Sequence, residues 1–213
     1  MEHISKDAIL ESLKLGVSEL LANRQYFNDL DTPIGDSDHG DSIYATFSVV
    51  AKTIDEFNFE DDLGKLFDSV GKAIIFSGGA AMGPLYGTAF MDSSKAIEGK
   101  HQLNKEDFLN LWSAFKGGIE RRGKVKVGEK TMFDTISPFV DAIKESVDSN
   151  DDFEVLVQKS VEAAKEGMEG TKDMESHRGR SSRLGKRSIG HLDPGSASMF
   201  LLLKTFMENI IKK

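Results

Sequence analysis

Residues 199–211 read MFLLLKTFMENII, and their pattern decides the fold. A helix drawn through them carries apolar side chains on nearly every side, so it needs packing partners on nearly every side. Its longest wholly apolar run, Met199–Leu203, is far too short to span a membrane. This is the most buried helix of a helical protein. Upstream, apolar residues recur at helical spacing almost throughout. Ile9, Leu13, Val17, Leu20 and Leu21 form one stripe, and Tyr44, Phe47, Val50, Ala51 and Ile54 a second. Leu63, Leu66, Phe67 and Val70 follow, then Phe108, Leu111, Trp112, Phe115 and Ile119. Phe133, Ile136, Val140 and Ile143 make another, as do Phe153, Leu156, Val157 and Ala164. The pattern predicts helices over 4–25, 39–57, 60–77, 84–98, 105–122, 132–148, 152–173 and 194–211. No alternating strand pattern, internal repeat or Pro/Ser linker interrupts them. The chain reads as one all-α domain over residues 1–213, a bundle of eight antiparallel up-and-down helices.

Composition narrows the function. The 213 residues are 39% hydrophobic and 29% charged, a soluble globular profile, with a formal net charge of −8. That sign disfavours nucleic acid and anionic membranes, which call for a basic field. No cysteine is present, which excludes disulfides, thiolate metal sites and thiol nucleophiles. The N-terminus, MEHISKDAILESLK, lacks the basic flank and apolar core of a secretory signal. A cytoplasmic protein is expected.

Helix-start signals locate the unusual segments. Asn104 with Asp107, and Thr131 with Asp134, read as N-cap pairs, and Pro84 and Pro194 fit the first helical position. DTPIGDSDHGDS (31–42) precedes the second predicted helix, GGAAMGPLYGT (78–88) the fourth, RGKVKVGEKTM (122–132) the sixth and RSSRLGKRSIGHLDPG (180–195) the eighth. In an up-and-down bundle the even-numbered helices all start at one end. Four sets of free backbone N–H groups then face one place, a setting for anions and above all for phosphate.

The acidic stretch supplies the counterpart. Asp31, Asp36 and Asp38 stand in a Gly/Pro-turned loop where three carboxylates can aim at one point. Mg2+ takes such oxygen ligands, completed by phosphate and water. A solvated acidic turn, with Asp38 capping the next helix, fits the same spacing. His39 reads either as a phosphate-contacting imidazole or as an exposed first-turn residue. The remaining histidines (3, 101, 177 and 191) show no zinc-ligand spacing. Residues 179–188, GRSSRLGKRS, approach a P-loop, but the spacing is one residue too long and Arg187 stands where Ser or Thr belongs. The charge gathered there (Lys172, Arg178, Arg180, Arg183, Lys186 and Arg187) suits phosphate, carboxylate or a docking partner.

Together, LDTPIGDSDHG, GPLYGTAF, GEKTMFDTISP and GRSSRLGKRSIGHLDPGSAS resemble, in order and over nearly the whole chain, the nucleotide-binding L subunit or C-terminal L domain of dihydroxyacetone kinases. The resemblance implies a closed barrel of eight antiparallel helices with the nucleotide at one end. It implies that Asp31, Asp36 and Asp38 hold two Mg2+ ions. His39, Gly40, Asp41 and Ser42 fall on a phosphate-contacting segment. Ala81 and Met82 fall on a glycine-rich loop, Gly123, Met132 and Arg187 near the nucleotide, and Asp193 and Pro194 on the turn closing the pocket. No nucleophile is required of this chain, since phosphoryl transfer asks mainly for positioning and charge neutralisation.

The resemblance further implies half of an enzyme. A separate K-type subunit holds dihydroxyacetone or a similar short ketose, and no such domain is recognised in 1–213. Either ATP exchanges as a substrate, or ADP stays bound and is rephosphorylated by a phosphohistidine protein of the phosphoenolpyruvate phosphotransferase system. A free-standing L chain resembles the second arrangement more. A nucleotide-loaded regulatory module without turnover is the alternative. The chain departs from the family pattern at Ser42, Met82, Glu129, Arg183 and Lys186, where asparagine, serine, aspartate, tyrosine and glutamate are usual.

Overall fold

The computed structural model describes residues 2–77 and 82–212. Nine α-helices occur among them: α1 (Lys6–Ala22), α2 (Arg24–Asp31), α3 (His39–Asp55), α4 (Leu63–Phe76), α5 (Met82–Ala96), α6 (Lys105–Gly123), α7 (Phe133–Asp148), α8 (Phe153–Gly170) and α9 (Pro194–Ile210). Eight match the helices predicted from the sequence. The addition is short α2, split from α1 at Asn23, whose backbone turns to φ −95° and ψ 20° while its side-chain amide donates to the Glu19 carbonyl at 2.9 Å. Such local bonding is how asparagine competes with a continuing helix. A second addition is small. Ile4–Ser5 (β1) pairs antiparallel with Gln102–Leu103 (β2), burying Ile4 and Leu103.

The long helices close into a ring. Each of α3 to α9 packs on its neighbour in sequence, α1 packs on α3, and α9 returns to α1. Short connections join most successive helices of the ring. The exception is the passage from α8 to α9, where residues 171–193 form a long strap of irregular and 3-10 backbone. Capping sets the helix starts. Ser5, Asp62, Asp152 and Asp193 each accept a hydrogen bond from a first-turn N–H, and Asn104 with Asp107 forms a complete capping box. Pro194 occupies the first turn of α9, as expected.

Aromatic rings fill the barrel. Trp112 of α6 meets Phe115, Phe139 of α7 and Phe206 of α9 at centroid distances of 5.5, 5.2 and 5.4 Å. Phe115 continues to Phe90 of α5 at 5.3 Å, and Tyr86 of α5 meets Phe47 of α3 at 5.0 Å. Edge-on pairs of this kind add attraction beyond area burial. Within α9 only Glu208 is exposed, as the sequence of that helix requires. Among the described residues no helix is long and apolar enough to cross a membrane.

Candidate functional site

The starts of α3, α5, α7 and α9 meet around one cavity of about 570 Å3. Its apolar lining comes from Ile34, Met82, Leu85, Ile119, Val125 and Met132. Its charged lining comes from Asp31, Asp36, Asp38 and Asp193 with Arg122, Lys130, Arg178 and Arg180.

The acidic side begins at α2. Asp31 ends that helix and accepts a hydrogen bond from the Asp38 N–H at 3.1 Å, folding loop 32–38 back on itself. Gly35 makes room for this, since a Cβ there would lie 2.0 Å from Asp31 Oδ1. One carboxylate oxygen from each of Asp31, Asp36 and Asp38 falls within 4.8 Å of the others. An octahedral Mg2+ at about 2.1 Å spaces its ligand oxygens by roughly 3–4 Å, so small rotations bring these groups to a cation. Arg180 contacts Asp36 and also bonds Asp38 Oδ2 at 2.7 Å, supplying the opposite charge that three clustered carboxylates demand.

Asp38 does not cap α3. The cap comes from α2, where Asn28 Oδ1 accepts from the Gly40 and Asp41 N–H groups at 2.7 and 3.2 Å. The Asp38 carboxylate is thereby left to the cavity. His39 is neither an exposed first-turn residue nor a cation. Its ring lies edge-on to Phe27, its Nε2 sits 3.0 Å from Ser198 Oγ, and desolvation lowers its pKa to about 4 despite Asp31 and Asp38. It is neutral near pH 7.

The remaining expected residues divide. Ser42, Met82, Gly123, Met132, Asp193 and Pro194 line the cavity with Asp31, Asp36, Asp38 and His39. Gly40 and Asp41 do not. Gly40 is buried against the Arg24 carbonyl, and Asp41 accepts from Arg24 and Asn28 at 2.6 and 3.1 Å on the outer face. Arg187 is exposed and off the cavity wall; Arg178 and Arg180, from the same basic run, are on it. Ala81 lies outside the described residues.

One structural group does more than its sequence reading as a cap implied, and a second escaped the sequence. Asp134 is buried and receives the Gly128 and Thr131 N–H groups at 2.5 and 2.7 Å, shaping the loop before α7. The Thr131–Asp134 pair is thus half of a capping box, because the Thr131 hydroxyl accepts from Phe133 instead. Lys130 is 1% exposed and donates to the carbonyls of Thr171, Met174 and His191. Burial lowers its pKa, opposed by Asp193 and Asp173. Asp193 caps α9 through Ser196 at 2.7 Å, and burial pushes its carboxyl up to about 7.

Residues 33–208 match the family model of the DAK2 domain. The chain is 39% identical over 186 residues to the PEP-dependent dihydroxyacetone kinase 1, ADP-binding subunit DhaL, of Listeria innocua, covering 87% of each chain. It is 32% identical over 180 residues to the corresponding PEP-dependent subunit of Escherichia coli K12, covering 84% of this chain and 85% of that one. The crystal structure of the dihydroxyacetone kinase from C. freundii in complex with AMP-PNP and Mg2+ superposes with a TM-score of 0.71 at 20% identity, over 94% of this chain. This chain spans about a third (33%) of that one, and the likeness concerns the fold. With a DAK2 match along most of its length and relatives above 30% identity, the chain belongs to the DAK2-domain family.

Proposed function

We propose that residues 1–213 form one L-type nucleotide-binding domain. It passes the terminal phosphate of a Mg-bound nucleotide to dihydroxyacetone or a similar short ketose held on a separate K-type subunit. The observation that carries this reading is the meeting of a three-carboxylate cluster with four helix N-termini at one cavity. The apolar lining of Met82, Leu85, Val125 and Met132 suits a purine, and the charged lining suits its phosphates. The Listeria and Escherichia relatives are named ADP-binding subunits of PEP-dependent kinases. We therefore take ADP as the resident cofactor, recharged by a phosphohistidine protein of the phosphotransferase system. A cytoplasmic location follows from that assignment.

Asp31, Asp36 and Asp38 would hold two Mg2+ ions, which when bound withdraw charge from the phosphate oxygens. The protein's own groups do the rest. The positive dipole ends of α3 and α9 meet at the cavity end that would take the phosphates. Neutral His39 adds a polar ring without a competing positive charge. Arg178 and Arg180 stand at the mouth, where negative charge spreads as the phosphoryl group leaves. Exposed Arg183, Lys186 and Arg187 on the strap give the partner side a basic face.

The test is calorimetric titration of ADP with and without Mg2+, on the wild type and Asp36→Asn, followed by transfer assays with a K-type subunit. Mg-dependent binding lost in the variant, with unchanged helical circular dichroism, supports the site. Equal binding in both proteins removes it. Transfer from phosphoenolpyruvate through phosphohistidine proteins, but not from ATP, supports the donor assignment. ATP-driven turnover makes this an ATP-dependent L subunit, and binding without any turnover makes it a regulatory module.

A further inference from the structure

Lys130 stands on the cavity wall, yet its ammonium is committed elsewhere. Nζ donates to the carbonyls of Thr171 at 2.6 Å, His191 at 2.5 Å and Met174 at 3.3 Å. An ammonium has three N–H donors, so none remains for a ligand. The three acceptors are placed with a pattern. Thr171 and Met174 begin the 171–193 strap and His191 ends it, so one charge gathers both roots of the excursion. Two further bonds cross the same roots: Gly190 N–H to the Lys172 carbonyl at 2.7 Å and Asp193 N–H to Thr171 Oγ1 at 3.1 Å.

The lysine is there against local preference. Its backbone takes φ +60°, the left-handed region that non-glycine residues seldom enter, and its side chain is buried. Burying an ammonium costs several kcal/mol unless its donors are met and opposite charge lies close. Here the carbonyls meet the donors, and Asp173, with Asp193 when ionised, opposes the cost of burial. Its neighbour Glu129 grips the middle of the same strap through Arg178.

We propose that Lys130 is a positioning residue: by clamping both roots of the 171–193 strap it fixes where Arg178 and Arg180 stand over the nucleotide cavity. The consequence for nucleotide affinity rests on the phosphate-binding reading above; the clamp itself does not.

Hydrogen exchange by mass spectrometry on the wild type, Lys130→Met and Lys130→Gln tests the clamp, and ADP titration in excess Mg2+ tests its consequence. The expected result is exchange in peptides from 171–193 at least tenfold faster in Lys130→Met, with α4 to α6 unchanged, and an ADP Kd at least tenfold higher. Lys130→Gln, which keeps two donors but no charge, falls between. Unchanged strap exchange in a folded variant overturns the proposal. So does a loosened strap with wild-type ADP affinity. Loss of protection throughout the barrel in both variants makes Lys130 a general core stabiliser and likewise overturns it. If the wild type itself binds no ADP, the functional reading fails, while the exchange comparison still decides the clamp.

Discussion

Glu129 accepts two hydrogen bonds from Arg178, from Nε at 2.8 Å and Nη2 at 2.9 Å, joining the loop before α7 to the strap before α9. The same carboxylate accepts from the Lys126 N–H at 2.9 Å, and the Glu129 carbonyl accepts from the His177 N–H at 3.2 Å. The pair lies near the surface, and such pairs contribute little to global stability. Its use is geometric, because a two-point fork fixes direction as well as distance. Glu129→Gln keeps the shape and removes the charge. Urea unfolding is expected to change by less than about 1 kcal/mol. The ADP Kd in excess Mg2+ is expected to rise about threefold to tenfold, the scale of one weakened charge-assisted bond. An unchanged Kd would show that the fork does not transmit to the site.

Two glycines in the acidic segment separate stability from binding. A Cβ on Gly40 would lie 1.9 Å from the Arg24 carbonyl oxygen, a backbone atom that cannot yield without moving α2 off α3. Gly40→Ala is expected to cost about 1–3 kcal/mol in urea unfolding, the usual range for overpacking. At Gly35 the nearest atoms belong to the Asp31 carboxylate, a side chain able to swing away. Gly35→Ala should leave stability within about 0.5 kcal/mol, as at ordinary surface positions. Its cost should appear in Mg-dependent ADP binding instead, because Asp31 is turned from Asp36 and Asp38. If the two variants behave alike, the division between packing and ligand geometry is wrong.

Arg180 engages the same two carboxylates, Asp36 and Asp38, that a divalent cation would use. Arg180→Gln is therefore expected to tighten binding of Mn2+, used as a paramagnetic stand-in for Mg2+, to the nucleotide-free protein. In the presence of ADP the same variant should bind the nucleotide more weakly, having lost a cation at the phosphate end. Weaker Mn2+ binding without nucleotide would show that Arg180 organises the carboxylates and does not compete for them.

What the sequence disclosed follows from which signals are periodic. Seven of the eight long helices show an apolar pattern in the sequence that announced them, and the helix at 84–98 was marked by Pro84. Helix α2 reads RQYFNDLD and buries only Phe27, which leaves no stripe to see. The cavity end was legible because four irregular segments open alternate helices, and alternation is a counting argument. Which side chains turn inward was less so. Gly179 and Gly185 both take positive φ, at 66° and 55°, within a strap whose Arg178 and Arg180 line the cavity while Arg187 does not. Arginine spacing alone carries no such information. Lys130 sits in a lysine-rich run, KVKVGEK, of the kind that usually faces solvent, and its acceptors lie 41 to 61 residues away. Nor does spacing reveal that Asn28, on a different helix, takes over the cap that Asp38 was placed to provide.

The pH dependence of stability should carry the mark of Asp193. Burial raises its carboxyl from 3.8 to about 7, against the hydrogen bonds from Ser196 and the charge of Lys130, with Asp134 pushing the same way as burial. Between those values the folded chain keeps a proton that the unfolded chain has released. Stability contributed by this group is therefore present in full below pH 3.8 and is lost as pH rises towards 7. At 1.36 kcal/mol per unit, the change is bounded at about 4 kcal/mol. Asp193→Asn removes the titration and keeps an oxygen that can accept from Ser196, so the cap survives. His39 titrates in the same window with the opposite sign, its pKa lowered to about 4, but it is present in both proteins and drops out of their difference. Urea midpoints of the nucleotide-free proteins should differ least near pH 4, and the variant should gain on the wild type steadily up to pH 7. Parallel profiles would mean that the folded carboxyl titrates at its ordinary value, with Lys130 offsetting its burial in full.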